Sequence, residues 1–262
     1  MVRPAHEVRP FARDRGTVID ALEVGVRRHL VHALLEVDVT RARERIRAAA
    51  GSGERLSFTA FVVSSLARAI ESDRRLHAYR DWRGRLVLFD EVDVVTLVES
   101  EVDAVAIPHV IRAANRRTVR DIHAEIRRVQ AEPRTSRQRT GPFARLSASA
   151  PGFSRRLFFR LLRRSPAWMK RTAGTTLVTA VGMFGMGSGF VLGIVPLHTL
   201  CLTVGDITAR PAVVDGKIEV RQMLSLTASV DHDIVDGAPA ARFARRLREV
   251  LEGAEVLGDA GV

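Results

Sequence analysis

Polar and apolar positions recur along the chain at spacings that predict a mixture of strands and helices. Ala33–Val39, ALLEVDV, sets Leu and Val against Glu36 and Asp38 and predicts a strand. Thr40 is placed to cap a helix over Arg41–Ala50, which Gly51 and Gly53 stop. Ser57–Ser72 is mostly apolar and predicts a well-buried helix. Arg85–Phe89 and Val92–Val98 read as strands that could join as a hairpin, and Ala104–Ile111 as an apolar strand interrupted by Pro108. Thr118-Val-Arg-Asp121 has the form of a helix-capping box with Asp in place of Glu, and Ile122, Ile126 and Val129 continue one apolar face. Strands are expected again at Thr175–Val181, Thr199–Val204 and Ile218–Val230. Gly205–Gly216 reads as a loop turning at Asp215-Gly216, and a helix over Ala240–Leu251 closes the domain.

The order lacks a regular βαβ period and no internal repeat is visible, so an α+β fold is favoured over a doubly wound sheet. Residues 1–15 are polar and irregular and read as an N-terminal arm; 16–262 read as a single domain. Residues 131–171 break the pattern with Pro133, Gly141, Pro142, Pro151, Gly152 and Pro166. Within them Phe153–Met169 predicts an amphipathic helix that Pro166 could kink. Phe153, Leu157, Leu161 and Trp168 share one face, and Arg156, Arg160 and Arg163 a neighbouring one.

Charge changes this picture in one place. The formal net charge is +11, yet Arg134–Arg171 holds eleven basic residues and no acidic one, which leaves the remaining 224 residues neutral. The chain is thus a neutral domain carrying one cationic segment, at about 134–171. That segment has three open readings: a cover for a subunit interface, a contact with an anionic membrane surface, or a site for an acidic partner or for phosphate groups. Nucleic acid is disfavoured, because stacking aromatics are few and no binding motif is present. Thr172–Gly205 is uncharged and long, but its glycines at 182–189 and Pro196 indicate buried strands and turns rather than a spanning helix. The N-terminus has no apolar core of a secretory signal, so a cytoplasmic protein, peripheral to the membrane at most, is expected.

Candidate chemistry is sparse. Cys201 is the single cysteine and lies in the apolar run TLCLTV, so it reads as a buried small hydrophobe. The histidines show no metal-ligand spacing and no metal is expected. Gly182–Gly189 is glycine-rich but lacks the following Lys-Ser/Thr of a phosphate cradle. The informative stretch is Ser225–Ala240, SLTASVDHDIVDGAPA. Alternation ends at Val230, and His232 follows at the strand end among Asp231, Asp233 and Asp236. A strand end fixes a catalytic base and exposes it, although composition alone also allows an incidental histidine in an Asp-rich loop.

Asp231-His232-Asp233-Ile234-Val235-Asp236-Gly237 resembles the D-H-x-x-x-D-G signature of the dihydrolipoamide acyltransferase catalytic domain, the core of 2-oxoacid dehydrogenase complexes. Further blocks follow in the family's order: Glu36-Val-Asp-Val-Thr40, Leu56–Ile70, Asp103–Ile126, and Gly174–Gly185, GTTLVTAVGMFG. The resemblance covers about residues 16–252. It implies the chloramphenicol acetyltransferase-like two-layer sandwich, a mixed sheet with helices packed on one side. It also implies a coenzyme A-dependent acyltransferase that works as a homotrimer with interfacial active sites. His232 would be the general base, and Thr179, where the family carries Ser, would donate to the oxyanion from the neighbouring subunit. Asp236 would pair with an Arg and order the His loop; Arg15 is the candidate. Gly237 would permit the turn into the last helix.

Several features depart from the family. No lipoyl domain accompanies this stretch, and neither Lys170 nor Lys217 sits in the D-K-A context of lipoyl attachment. A lipoyl group or other acyl carrier would therefore come from a separate protein or molecule. Ala180 stands where the family has Asn, and Gly258–Val262 replaces its apolar C-terminal anchor, so a trimer is expected rather than a cage. The competing reading is a non-catalytic trimeric scaffold or membrane-associated adaptor. Acyl group, acceptor and pathway stay open.

Overall fold

A computed structural model describes residues 7, 9, 13–26, 28–98, 107–132, 150–182, 187, 189–195 and 197–258. Its centre is a six-stranded mixed sheet in the order β1-β8-β7-β6-β4-β5. The strands are β1 (Leu30–Asp38), β4 (Val94–Val98), β5 (Ile107–Ile111), β6 (Thr176–Ala180), β7 (Leu200–Val214) and β8 (Lys217–Asp231); β2 (Tyr79–Arg80) and β3 (Leu86–Val87) form a separate ribbon. β1, β8 and β7 run antiparallel, β7, β6 and β4 parallel, and β4 and β5 antiparallel. The helices are α1 (Arg13–Gly25), α2 (Thr40–Gly51), α3 (Phe58–Ile70), α4 (Val119–Ala131), α5 (Gly152–Arg164), α6 (Pro166–Ala173) and α7 (Gly237–Gly253).

One face of the sheet makes the core. Val178, Leu202 and Ala228 stand opposite one another across β6, β7 and β8, and Val204 faces Leu226 one pair further along. These side chains meet Phe61, Leu66 and Ile70 of α3, Ile122 and Ile126 of α4, and Phe243 and Leu247 of α7. Burying each such side chain contributes about 1.5–3 kcal/mol. Period 2 on the strands and period 3.6 on the helices thus deliver one layer of helices onto one face of a mixed sheet, the α+β sandwich that the sequence implies.

Local signals account for most boundaries. Ser57 caps α3, accepting from the Ala60 N–H at 3.2 Å, and Thr118 and Asp121 form the capping box of α4. Thr40 does not cap α2. Its hydroxyl donates instead to Asp38 Oδ1 at 2.6 Å, locking the strand-to-helix turn. Asp215 (φ 50°) and Gly216 (φ 78°) make the two-residue turn between β7 and β8.

Four expectations need correction. β3 pairs with β2, and β4 lies between β5 and β6, so the strands at 85–89 and 92–98 form no hairpin. Gly205–Gly216 is not a loop, because β7 continues to Val214 across a bulge between Val204 and Ile207. Pro211 is tolerated there since this half of β7 pairs with β8 alone, so its missing N–H faces no second strand. The expected arm over 1–15 ends earlier, since α1 starts at Arg13; residues 1–6, 8 and 10–12 lie outside the described residues. The helix expected over Phe153–Met169 is two helices, divided at Ser165 with Pro166 at the first position of α6. Residues 134–149 of the basic segment also lie outside the described residues.

The rest of that segment packs on α1. Arg155 pairs with Asp20 at 2.6 Å and Arg156 with Glu23 at 3.1 Å. Phe159, Leu162 and Met169 join Val24, Tyr79 and Leu197 in a second apolar cluster. The apolar stripe of this segment is turned to solvent: Phe153, Leu157 and Leu161 are 71%, 54% and 47% exposed. No helix among the described residues is long and apolar enough to cross a membrane.

Candidate functional site

β8 ends at Asp231, and the chain turns through 232–236 into α7. Four backbone bonds fix this turn: the Asp231 N–H donates to Thr199 O at 2.8 Å, His232 N–H to His29 O at 2.7 Å, and the Ile234 and Val235 N–H groups both to Asp231 O at 3.1 Å. The His232 side chain is exposed. The loop presents an imidazole at the end of an interior strand while its own backbone is tied to two other segments.

Beneath the loop lies the ion pair of Arg28 and Asp231, 3.3 Å apart, with side chains only 8% and 6% exposed. Arg28 also donates to Leu197 O at 2.7 Å and to His198 O. One guanidinium therefore links the start of β1, the segment before β7 and the end of β8. Burial lowers the Arg28 pKa, and Asp231 partly offsets this. Asp233 accepts from His29 Nδ1 at 2.8 Å; that hydrogen bond raises the His29 pKa and lowers that of Asp233.

Sequence reasoning missed Arg28. Its partners lie 169 and 170 residues away, and no local pattern marks it. Arg15, the expected partner of Asp236, is exposed on α1, and no ion pair joins the two among the described residues. Asp236 is exposed at the start of α7 without a side-chain capping bond, and it acts on the charge of Arg75. Gly237 is not needed for the turn: its φ is not positive, and an added Cβ would meet nothing within 4 Å. Gly182 is a glycine the fold does require, since its Cβ would stand 2.0 Å from Gly205 O.

Thr179 is half-buried on β6, opposite Thr203 of β7, which faces Thr227 of β8. The three hydroxyl residues line the sheet face opposite the core, and the buried Thr227 hydroxyl has no hydrogen-bond partner among the described residues. His232 comes five residues after Thr227 along β8. That places it roughly 17 Å along the strand from the threonine row, and about 10 Å sideways from β6. Within one chain His232 and Thr179 cannot contact the same carbonyl group.

Two other histidines are structural. His77 lies near Thr175 Oγ1 (3.2 Å), and His198 Nε2 donates to Ala173 O at 2.6 Å. Burial is the main reason that each pKa falls from 6.5 to about 4. Between those values the unfolded chain binds protons that the native chain refuses. Stability is therefore complete above pH 6.5, falls as pH drops towards 4, and levels off below it. Each histidine contributes at most about 3 kcal/mol to that loss. Urea midpoints should decline from pH 7 to pH 4.5, and less steeply in His77→Gln; a flat profile contradicts this assignment.

Among the described residues no group of three His, Cys, Asp or Glu side chains could hold a metal. Cys201 is buried, and burial pushes its thiol up to about 12, so it is no nucleophile. Lys170 is held by Glu91 at 2.9 Å and Asp93 at 3.3 Å and is not offered for lipoyl attachment.

Residues 165–258, which include β6, β7, β8, the His232 loop and α7, match the family model of the 2-oxoacid dehydrogenases acyltransferase (catalytic domain). The lipoamide acyltransferase component of the branched-chain alpha-keto acid dehydrogenase complex of Bacillus subtilis is 27% identical over 227 residues, 84% of this chain and 46% of that protein. The dihydrolipoyllysine-residue acetyltransferase component of the Corynebacterium glutamicum pyruvate dehydrogenase complex is 38% identical over 92 residues, 34% of this chain and 14% of its own length. The chain thus spans less than half the length of these curated relatives. Among solved structures, a probable dihydrolipoamide acetyltransferase from Listeria monocytogenes superposes with a TM-score of 0.74 at 20% identity, over 99% of both chains. A chloramphenicol acetyltransferase gives 0.52 at 15% identity, over 92% of this chain and 96% of the other. Residues 165–258 thus match the acyltransferase catalytic-domain model of the 2-oxoacid dehydrogenases, and over nearly its whole length the chain shares the fold of these solved acyltransferase structures.

Proposed function

We propose that this chain catalyses coenzyme A-dependent acyl transfer between a thioester and a thiol, of the dihydrolipoamide/coenzyme A type, as a cytoplasmic homotrimer. The observation that carries the reading is His232, exposed at the end of β8 on a loop held by buried Arg28 and Asp231, inside the stretch that matches the family.

In this reading His232 accepts the proton of the attacking thiol, and the thiolate adds to the thioester carbonyl. The tetrahedral oxyanion accepts a hydrogen bond from the Thr179 hydroxyl. Collapse breaks the original C–S bond, and the leaving thiolate takes the proton back from the imidazolium. Coenzyme A is one thiol. The other is dihydrolipoamide, carried on a separate molecule or domain. Because His232 and Thr179 lie far apart within one chain, Thr179 comes from the neighbouring copy. Asp236 acts as a positioning residue at the start of α7, through its charge.

Acetyl-, propionyl-, isobutyryl- and succinyl-coenzyme A offered with free dihydrolipoamide test the activity and rank the acyl groups. Subunit mixing tests the interface. His232→Ala and Thr179→Ala variants are each expected to be defective. Trimers reassembled from equal amounts of both should recover about a quarter of the wild-type sites, because each intact site draws one residue from each variant. Failure of the mixture to exceed its components would place both residues of a site in one chain or remove Thr179 from the mechanism.

A further inference from the structure

A cleft of about 350 Å³ opens between α5, the β2–β3 ribbon and the His232 loop. Five guanidinium groups line it, those of Arg28, Arg80, Arg160, Arg163 and Arg164. Three carboxylates also reach it, and each is already engaged. Asp81 binds Arg85 at 2.8 Å, Asp231 binds Arg28 at 3.3 Å, and Asp233 binds His29 at 2.8 Å. Arg80, Arg160 and Arg164 have no hydrogen-bonded or ion-paired partner among the described residues. Arg163 uses one N–H on Val24 O at 2.5 Å, and the buried Nε of Arg28 has no hydrogen-bond partner among the described residues. The cations also oppose one another. After burial, the main cause, Arg163 lowers the pKa of Arg28, and Arg80 lowers that of Arg163.

Like charges gathered in a cleft against their repulsion gain from an anion placed between them. The guanidinium groups come from α5, β2 and the start of β1, so they converge on a ligand from several directions. A carboxylate has two oxygens and is satisfied by one guanidinium fork, whereas phosphate oxygens point several ways and suit such a set. Trp82, 68% exposed at the rim, offers an aromatic surface beside it.

We propose that this cleft binds a phosphorylated ligand, with its phosphate oxygens held by Arg80, Arg160 and Arg164. Two sources share this chemistry, the nucleotide end of coenzyme A and a separate phosphorylated effector. The binding goes beyond the acyl-transfer reading; only the identification of the source with coenzyme A rests on it.

The test is calorimetric titration of the full chain with inorganic pyrophosphate at fixed ionic strength. Wild type is compared with Arg160→Ala/Arg164→Ala, with Arg80→Gln as an independent second variant, and with Arg41→Ala/Arg47→Ala on α2 as a charge control. These side chains are exposed, and circular dichroism checks each fold. The expected result is one pyrophosphate per chain, bound at least about tenfold more weakly by both cleft variants and unchanged in the control. No binding to wild type, or equal loss in the control, overturns the cleft. Competition separates the sources: coenzyme A displacing pyrophosphate, with pantethine failing to, supports its nucleotide end. Pyrophosphate bound undisturbed by coenzyme A supports a separate effector. A protein that binds pyrophosphate in this cleft yet transfers no acyl group keeps the cleft and loses the acyl-transfer reading.

Discussion

His232→Ala should lower kcat/KM for acyl exchange by roughly 10²–10⁴-fold, the range that a positioned general base contributes. The fold should hardly change. The imidazole is exposed, and the turn is held through the His232 backbone N–H on His29 O at 2.7 Å, a bond that alanine keeps. Stability should therefore stay within about 0.5 kcal/mol of wild type. The experiment compares initial rates with several acyl-coenzyme A donors and urea midpoints for the two proteins. A variant as active as wild type would end the general-base assignment. An inactive but unfolded variant would mean that the loop depends on the imidazole in a way its exposure does not indicate. His29 offers a control. It is also exposed, its pKa is raised by Asp233, and it lies beside the His232 turn. His29→Ala should retain most activity, because nothing in the proposed mechanism passes a proton through it.

What the sequence made legible is what lies close together along the chain. The helix-capping signal at Thr118 with Asp121, the β7–β8 turn at Asp215-Gly216 and the exposed His232 at a strand end all depend on a few adjacent residues. The core face followed from periodicity, since Leu202, Val204, Leu226 and Ala228 alternate with Thr203, Thr227 and Ser225. α1 was not legible. Its apolar residues are spread around the helix, Val18 and Ile19 being exposed while Val24 is buried, so no stripe announces it. The second half of β7 was hidden because Gly205, Pro211, Asp215 and Gly216 are turn signals taken singly. Only the pairing with β8, which supplies every backbone partner that this stretch uses, overrides them.

The site was half legible for the same reason. The contiguous motif placed His232, whereas the support beneath it is assembled from residues far apart in sequence. Arg15 was the expected arginine, and Arg28 is the one that is buried against the loop. The cleft of arginines shows a related effect. The basic segment was visible as composition, but Arg155 and Arg156 neutralise α1 while Arg160, Arg163 and Arg164 face a shared cavity with Arg28 and Arg80. Composition counts all of these residues alike, and only packing separates those that are paired from those that are not.

Arg28→Met should destabilise the protein by about 3–5 kcal/mol, the cost of leaving one member of a buried ion pair alone. Asp231 would keep a carboxylate that is 6% exposed, with only the Asp233 N–H at 3.1 Å left to satisfy it among the described residues. The carbonyls of Leu197 and His198 would lose their donor as well. Arg15→Ala, by contrast, should lie within about 0.5 kcal/mol of wild type, because its side chain is exposed. A double-mutant cycle with Asp231→Asn separates the pair from the rest. If the ion pair carries the effect, Arg28→Met/Asp231→Asn should be less destabilised than the sum of the single variants by about 0.5–3 kcal/mol. Kinetics supply the second readout. Arg28 does not contact the reacting atoms, so in the fraction that stays folded kcat should fall through displacement of the His232 loop. Added salt should not restore it, since the missing tie is a fork of hydrogen bonds rather than a net charge. The opposing effect is the crowding of Arg28 by Arg163, which its removal relieves. Were that repulsion larger than the attraction of Asp231, Arg28→Met would stabilise the chain. The guanidinium would then belong to the anion cleft first and to the catalytic loop only second.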